Sequence, residues 1–251
     1  MLMCILFLIP LVLMFFFFFP IVVMCSFPLL FVLFVVYWQP KWFMRCLALY
    51  YPSVLWFVKT SEKCCSLTID DAPSDSTSAI LDVLKEHDII ATFFIISSQM
   101  KGREDIMARI LQEGHHVANH MTEDYASIRY TSTEFEEKLM ECDVSLRALP
   151  GQKSLPVHYF RPGSGWFNFQ MESTCTSYGY RIVLGSVYPH DAQIRWSALN
   201  SWYLKQRTTA GSVIIVHDRP WTIDVLKTAV PFLKKQFQFK SLKELITLQK
   251  K

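Results

Sequence analysis

The sequence predicts an α/β fold: seven βα units closing into a barrel, preceded by an N-terminal membrane segment. Three observations predict it. Met1 to Trp38 contains no charged residue and is dominated by Leu, Phe, Val, Ile and Met, whereas the remainder carries charges throughout. From Cys64 onward, short apolar runs alternate with amphipathic helical stretches, the pattern of a parallel sheet with crossover helices. The strands are continuously apolar, as strands covered on both faces must be, which favours a closed or nearly closed barrel. An open doubly wound sheet is the main rival, but no glycine-rich phosphate loop follows the first strand.

A bilayer core takes roughly 20 apolar residues to cross, so residues 1–40 exceed one span and fall short of two. Pro10, Pro20 and Pro28 punctuate them, which permits a kinked span or a tight hairpin. A cleaved signal peptide would have a basic start and a short apolar core, and this segment has neither, so a membrane anchor is expected. Residues 41–62 read as a juxtamembrane linker, with Leu47 to Val58 a short interfacial patch. Lys41, Arg45 and Lys59 all follow the span, and the positive-inside rule would hold the domain at 63–251 in the cytosol.

Within that domain, Cys65–Ile69 reads as a buried strand and Ser76–His87 as a helix with Ala79, Ile80, Val83 and Leu84 on one face. Ala91–Ile96 is the second strand, and a helix over Asp105–Glu113 ends at Gly114. His116–Ala118 is the third strand, and Thr133 starts a long helix bearing Phe135, Leu139, Cys142, Val144 and Leu146. After a loop with Pro150, Gly151 and Pro156 come the strand Val157–Phe160, a helix near Phe169–Ser177 and the strand Tyr180–Val187. Ser197–Lys205 is helical, Ser212–Val216 is the sixth strand and Ile223–Lys235 the next helix. Phe237–Lys240 forms a short last strand, and Leu242–Leu248 closes the chain.

The formal charge of +3 is too small to suggest a polyanion partner, and no basic stripe is interleaved with aromatics, so nucleic acid is excluded as a ligand. The seven cysteines show no Cys-x-x-Cys pair and no zinc-finger spacing, and Cys64 and Cys65 are neighbours, so neither a structural zinc site nor a disulfide framework is expected.

The reactive side chains fall at strand ends. Asp70-Asp71 follow the first strand, Asn119-His120 the third, Arg161 the fourth, Asp191 the fifth and His217-Asp218 the sixth. In a βα barrel these ends open onto one face, where active sites are built. Alone, the Asp70-Asp71 pair reads equally as a helix cap near Ser76 or as a divided pair, one carboxylate on a metal and the other a base. Five strands delivering Asp, His, Arg, Asp and His to one rim favour the second. His115, His116 and His158 lie in or beside strands and read as structural, and His190 is a weaker candidate for substrate contact. Trp166 and Tyr188 could stack on a sugar or be buried. Ser164 has no histidine and aspartate partners, so a serine triad is a poor reading.

The ordered set resembles the polysaccharide deacetylase (NodB-homology) family, carbohydrate esterase family four, over roughly Cys64 to Leu248. Thr68-Ile69-Asp70-Asp71-Ala72-Pro73 is similar to the family's Thr-Phe-Asp-Asp-Gly-Pro. Asn119-His120-Met121-Thr122-Glu123-Asp124 sits where the family has Asn-His and a second His four residues on. Phe160-Arg161-Pro162-Gly163-Ser164-Gly165 resembles its Phe-Arg-Pro-Pro-Tyr-Gly, and Val213-Ile214-Ile215-Val216-His217-Asp218 its closing apolar-His-Asp strand.

The resemblance implies a distorted, TIM-like (β/α)7 barrel that removes acetyl groups from N-acetylated, chitin-like glycans. It implies Asp70 as general base, held by Arg161, His217 as general acid, and Asp191 as the residue that orients either His217 or Arg161. Asp71 and His120 would be ligands of a divalent metal, zinc first. Asp124 would be the third ligand, with Glu123 or water as alternatives, and an oxygen-richer shell would favour a harder ion. The backbone N–H near Ser164 would stabilise the oxyanion, and Ile215 would wall the acetyl pocket. Three departures stand out: Asp124 for the second histidine, Ala72 for a glycine, and Ala192 for a tryptophan that would offer a sugar ring a flat wall. The reading is therefore a membrane-anchored deacetylase whose chemistry places the domain on the luminal or extracellular side, against the flanking charges. The rival is a membrane-tethered carbohydrate-binding protein on the same fold that has lost catalysis.

Overall fold

The structure is a computed structural model that describes residues 24, 26–151 and 158–249. The start of the expected anchor, residues 1–23 and 25, lies outside the described residues, as does Val157 at the head of the fourth strand. The chain divides into two units, Met1–Phe43 and Met44–Lys251. In the first, helix α1 (Ser26–Trp38) exposes Phe27, Leu29, Leu30 and Phe31. No single helix among the described residues is long and apolar enough to cross a membrane. Helices α1 and α2 (Lys41–Tyr50) reach that length only together, across a break at Gln39-Pro40.

The second unit is built on a seven-stranded sheet. Its strands are β1 (Cys64–Ala72), β2 (Thr92–Ile95), β3 (His116–Asn119), β4 (His158–Phe160), β5 (Tyr180–Ile182), β6 (Ser212–His217) and β7 (Gln238–Phe239). The order is β5-β4-β3-β2-β1-β6, every pair is parallel, and β7 pairs with the first two residues of β1. The crossovers are the helices α3 (Thr77–Glu86), α4 (Glu104–Gln112), α5 (Ser132–Arg147), α6 (Phe169–Ser177), α7 (Ser197–Arg207) and α8 (Pro220–Lys234), and α9 (Leu242–Thr247) follows β7. Local chemistry starts several of them. Thr131 and Glu134 form a capping box on α5, Ser241 and Glu244 form another on α9, and Asn168 caps α6.

The sheet is a distorted barrel because its edge strands β5 and β6 do not pair directly. The gap between them is bridged by a strip from within the predicted juxtamembrane linker. Leu55 bridges Val183, Phe57 bridges Ser212, and Val187 bridges Ile214. The Leu55 N–H donates to the Ile182 carbonyl at 2.8 Å, and the Val58 N–H to the Gly211 carbonyl at 2.8 Å. Val54, Leu55 and Val58 are consequently buried, not interfacial. Gly211 has no side chain for a steric reason: a Cβ there would stand 1.8 Å from the Val58 carbonyl oxygen. Leu55 and Val58 pack with Phe94, Ala118, Val183, Val213 and Leu245 in one cluster of the core. Burying each such side chain is worth about 1.5–3 kcal/mol, so the barrel unit draws stability from residues upstream of Cys64.

Candidate active site

The site gathers where the parallel strands end. The register of β1 and β6 sets Thr68 beside Ile215 and Asp70 beside His217, so these side chains share a face. The register of β1 against β2 shifts between Ile69 and Ala72, and Asp71 takes a left-handed φ of 63°. That conformation is uncommon for a residue other than glycine. It lets two consecutive carboxylates serve one rim, where a regular strand would send them to opposite faces. Neither caps the following helix: the residue before α3 is Ser76.

Asp70 is buried and bound to an equally buried arginine. Arg161 Nη1 donates to Asp70 Oδ1 at 2.5 Å and to Thr68 Oγ1 at 2.9 Å, while Nε donates to the Val183 carbonyl at 2.8 Å. The guanidinium lies 4.0 Å from the centre of the Phe94 ring, which fixes its plane from the core side. Asp70 Oδ2 looks across 4.0 Å at His217 Nε2, too far for a direct hydrogen bond. His217 is oriented from behind by Asp191, which is fully buried. Asp191 Oδ1 lies 3.0 Å from His217 Nδ1, and Oδ2 accepts the His217 backbone N–H at 2.7 Å. Burial alone would lower the pKa of His217. The charge and hydrogen bond of Asp191, then the charges of Asp70 and Asp71, override it and raise it to about 9.

Asp71 faces His120. His120 Nδ1 lies 2.7 Å from the Arg161 carbonyl, an oxygen that only accepts, so Nδ1 carries a proton. His120 Nε2 therefore points at Asp71 Oδ1, 3.2 Å away. Two lone pairs meeting head-on require a cation between them, either a second proton on the imidazole or a metal ion. Burial pushes the Asp71 carboxyl up, but the His120 hydrogen bond and the charges of His120, His217 and Arg219 hold it well below the usual carboxylate range. Burial pulls His120 down, and the charges of Asp70 and Asp71 raise it above its ordinary value. The pair has the donor types, tautomer and backing hydrogen bond of a metal half-site, and a divalent ion fits its chemistry.

The expected third ligand is not brought to this pair. The Asp124 side chain is 70 % exposed, and among the described residues no group of three or more His, Cys, Asp or Glu gathers around a common point. The reason lies in the loop: Met121 has a φ of 71°, and the Tyr125 N–H turns back onto the Glu123 carbonyl at 2.9 Å, which sends Asp124 outward. Glu123 is also turned away, onto Lys138 at 2.7 Å and the Tyr130 hydroxyl at 2.9 Å. The position beside Asp71 is taken by Arg219, whose Nη2 donates to Asp71 Oδ2 at 2.6 Å.

Of the remaining expected residues, Ile215 and Tyr188 border the same mouth. Ile215 is buried on the face it shares with His217. Tyr188 is half-buried, with its ring 5.6 Å from that of His217 and its hydroxyl donating to Gln193 at 2.7 Å. Trp166 is 70 % exposed, which removes burial as its role. Ser164 is exposed with a φ of 64°, at the end of a turn held by the Gly163 N–H, which donates to Ser127 Oγ at 2.8 Å. Gly163 is required there because a Cβ would meet the Tyr125 carbonyl oxygen at 2.0 Å. His115 is structural as expected: Nδ1 accepts the Ala91 N–H at 3.1 Å, and burial lowers its pKa to about 4.

Two residues escaped the sequence reading. Trp221 Nε1 donates to the Asp191 carbonyl at 2.8 Å and so braces the aspartate behind His217. Arg219 was the more legible of the two, because it directly follows His217-Asp218 and precedes a proline that fixes its backbone.

Comparison with known proteins gives this geometry a family. The family model described as polysaccharide deacetylase matches residues 57–183. A peptidoglycan-N-acetylglucosamine deacetylase of Bacillus cereus is 30 % identical over 212 residues, covering 77 % of this chain and 92 % of its own. A chitooligosaccharide deacetylase of Sinorhizobium fredii is 31 % identical over 157 residues, 61 % of this chain and 70 % of its own. Among solved structures, a peptidoglycan N-acetylglucosamine deacetylase superposes with a TM-score of 0.72 at 24 % identity, over 79 % of this chain and 95 % of that one. A pseudoenzyme of carbohydrate esterase family four from Bacillus anthracis superposes with a TM-score of 0.71 at 21 % identity, over 78 % and 69 %.

Proposed function

The chain belongs to the polysaccharide deacetylase family, and from that premise we propose that it hydrolyses the acetamide of N-acetylglucosamine-containing glycans, chitin-like or peptidoglycan-like. The observation that carries this reading is the run Arg161, Asp70, His217, Asp191 across the mouth of the barrel. It sets a carboxylate and an imidazolium 4.0 Å apart, each held by its own buried partner. Amide hydrolysis requires a base for the attacking water and an acid for the departing amine, and these two groups divide the tasks. Asp70 takes the proton from water as its oxygen adds to the acetyl carbon. Arg161 holds Asp70 aimed through its Nη1 hydrogen bond. His217, charged at neutral pH, delivers a proton to the nitrogen as the C–N bond breaks, leaving acetate and a free amine on the sugar. The Ser164 turn offers backbone donors to the oxyanion, Ile215 walls the acetyl methyl, and Trp166 and Tyr188 offer ring faces to the sugar.

Deacetylases of this family are generally metal-dependent. Asp71 and His120 are the residues that would hold a divalent ion, zinc first, and the ion would supply Lewis-acid polarisation of the acetyl carbonyl.

The test is acetate release from N-acetylglucosamine oligomers and from peptidoglycan by the purified chain with added zinc, with Asp70→Asn as control. Release by the wild type and none by the control is expected. No acetate from any N-acetylated sugar sinks the enzyme reading. The second reading, a glycan-binding protein without catalysis, is favoured by the Arg219 contact with Asp71, and it predicts oligomer binding without acetate. We also propose that residues 1–40 anchor the domain on the luminal or extracellular face, where such glycans lie. In sealed vesicles whose cytosolic face is outward, a domain protected from protease is expected, and digestion of it would reverse that orientation.

A further inference from the structure

Arg219 is built into the rim. The following Pro220 confines its backbone to the extended region, and its φ of −137° and ψ of 154° obey that limit at the start of α8. Its side chain is 27 % exposed and that of Asp71 is 6 % exposed, so this is not a water-screened surface pair. Nη1 is tethered to the Asp218 carbonyl at 3.1 Å, and Nη2 stands 2.6 Å from Asp71 Oδ2 and 4.0 Å from Asp124 Oδ2. The two oxygens of Asp71 are therefore shared between two claimants: Oδ1 faces His120, and Oδ2 faces a guanidinium.

We propose that Arg219 is a tethered cation that competes with the divalent metal for Asp71, so that metal binds fully only when the guanidinium withdraws. The proposal rests on the reading of Asp71 and His120 as the metal half-site. A metal ion draws on the charge and lone pairs of the carboxylate, and a charge-assisted hydrogen bond already occupies one of its oxygens. A divalent ion beside His120 would also stand within a few ångströms of a fixed positive charge, well inside the screening length of about 10 Å at 0.1 M salt. The competition accounts for Asp124 as well. Asp124 Oδ2, 4.0 Å from the same Nη2, helps hold the guanidinium at the rim, which an imidazole at that position would not do. The departure at Asp124 and the arginine thus form one device: Asp124 serves the arginine, and the arginine tempers the metal.

The experiment measures zinc affinity of the full chain by calorimetry and chelator competition, with folding checked by circular dichroism. Arg219→Gln and Arg219→Ala should each bind zinc about 10- to 100-fold more tightly than wild type, the range set by loss of a charge-assisted hydrogen bond. Arg219→Lys, which keeps the charge, should stay within about threefold of wild type, which separates competition from simple packing. Asp124→Asn, at a solvent-exposed position, should not weaken zinc binding, and Asp71→Asn should. Unchanged or weaker affinity in the two neutral Arg219 variants overturns the competition while leaving the half-site in place. A tenfold loss in Asp124→Asn makes Asp124 a ligand and likewise overturns it. Zinc affinity unaffected by Asp71→Asn defeats the half-site, and the proposal with it.

Discussion

Arg161→Met should abolish acetate release and cost the fold about 3–5 kcal/mol. Both members of the Arg161–Asp70 pair are nearly sealed from water, with side chains 3 % and 4 % exposed. The methionine would fill much of the space on the Phe94 ring, so the loss is electrostatic and not a cavity effect. It leaves the Asp70 carboxylate buried without its cation, and leaves Thr68 Oγ1 and the Val183 carbonyl without their donor. The double variant Arg161→Met/Asp70→Asn separates the two roles of the pair. Removing the charge together with its partner should return most of the lost stability, because a buried ion pair is replaced by neutral groups. It should return none of the activity, because the base is gone. Urea unfolding and acetate release measure the two halves. A single variant destabilised by less than about 1 kcal/mol, or a double variant no more stable than the single one, would show that Asp70 is not held as an isolated buried charge.

The fold was legible in the sequence to the extent that burial was. Each expected strand appears within a few residues of its apolar run, because a parallel strand buried on both faces leaves a continuous hydrophobic signature. Tyr180–Val187 is the informative exception. Only Tyr180–Ile182 pairs as a strand, and Val183 and Val187 make single bridges instead. The partner that breaks the pattern is the strip around Leu55. In sequence it is continuous with the apolar and aromatic stretch before it, and hydrophobicity says that a residue is buried but not against what.

The site divides along the same line. Asp70, Arg161, Asp191 and His217 were legible because each sits at a strand end, and parallel register then leaves little freedom in where they meet. Asp124 was not, because it lies on a loop. Counting four residues from His120 gives chain distance, whereas the turn at Met121 and the Tyr125 to Glu123 bond set direction. Arg219 escaped for a different reason: a charge next to a motif ordinarily reads as solvated surface. Its signal was Pro220, which removes the backbone freedom that such a surface arginine would have.

His217→Ala should lower kcat/KM by about 10²- to 10⁴-fold, the usual worth of a positioned general acid. The wild-type rate should fall as pH rises through about 9, where the structure sets the His217 pKa. The sign follows from the neighbours. Burial opposes the imidazolium, yet Asp191, Asp70 and Asp71 together favour it, so the folded pKa lies above the unfolded value of about 6.5. A raised histidine stabilises the fold fully below about pH 6.5 and loses that contribution as pH rises through about 9. The full contribution is roughly 3 kcal/mol, from about 2.5 pKa units at about 1.36 kcal/mol each. The stability gap between wild type and His217→Ala should therefore be widest near pH 6 and narrow by pH 10. Asp191→Asn provides the finer check on the positioning of His217. It keeps a side-chain acceptor for the His217 backbone N–H but removes the charge that does most to raise the imidazole. Its alkaline limb should move toward neutral pH, with activity surviving at pH 6. A limb that stays at about 9 in Asp191→Asn would assign it to another group and return His217 to the status of a structural histidine.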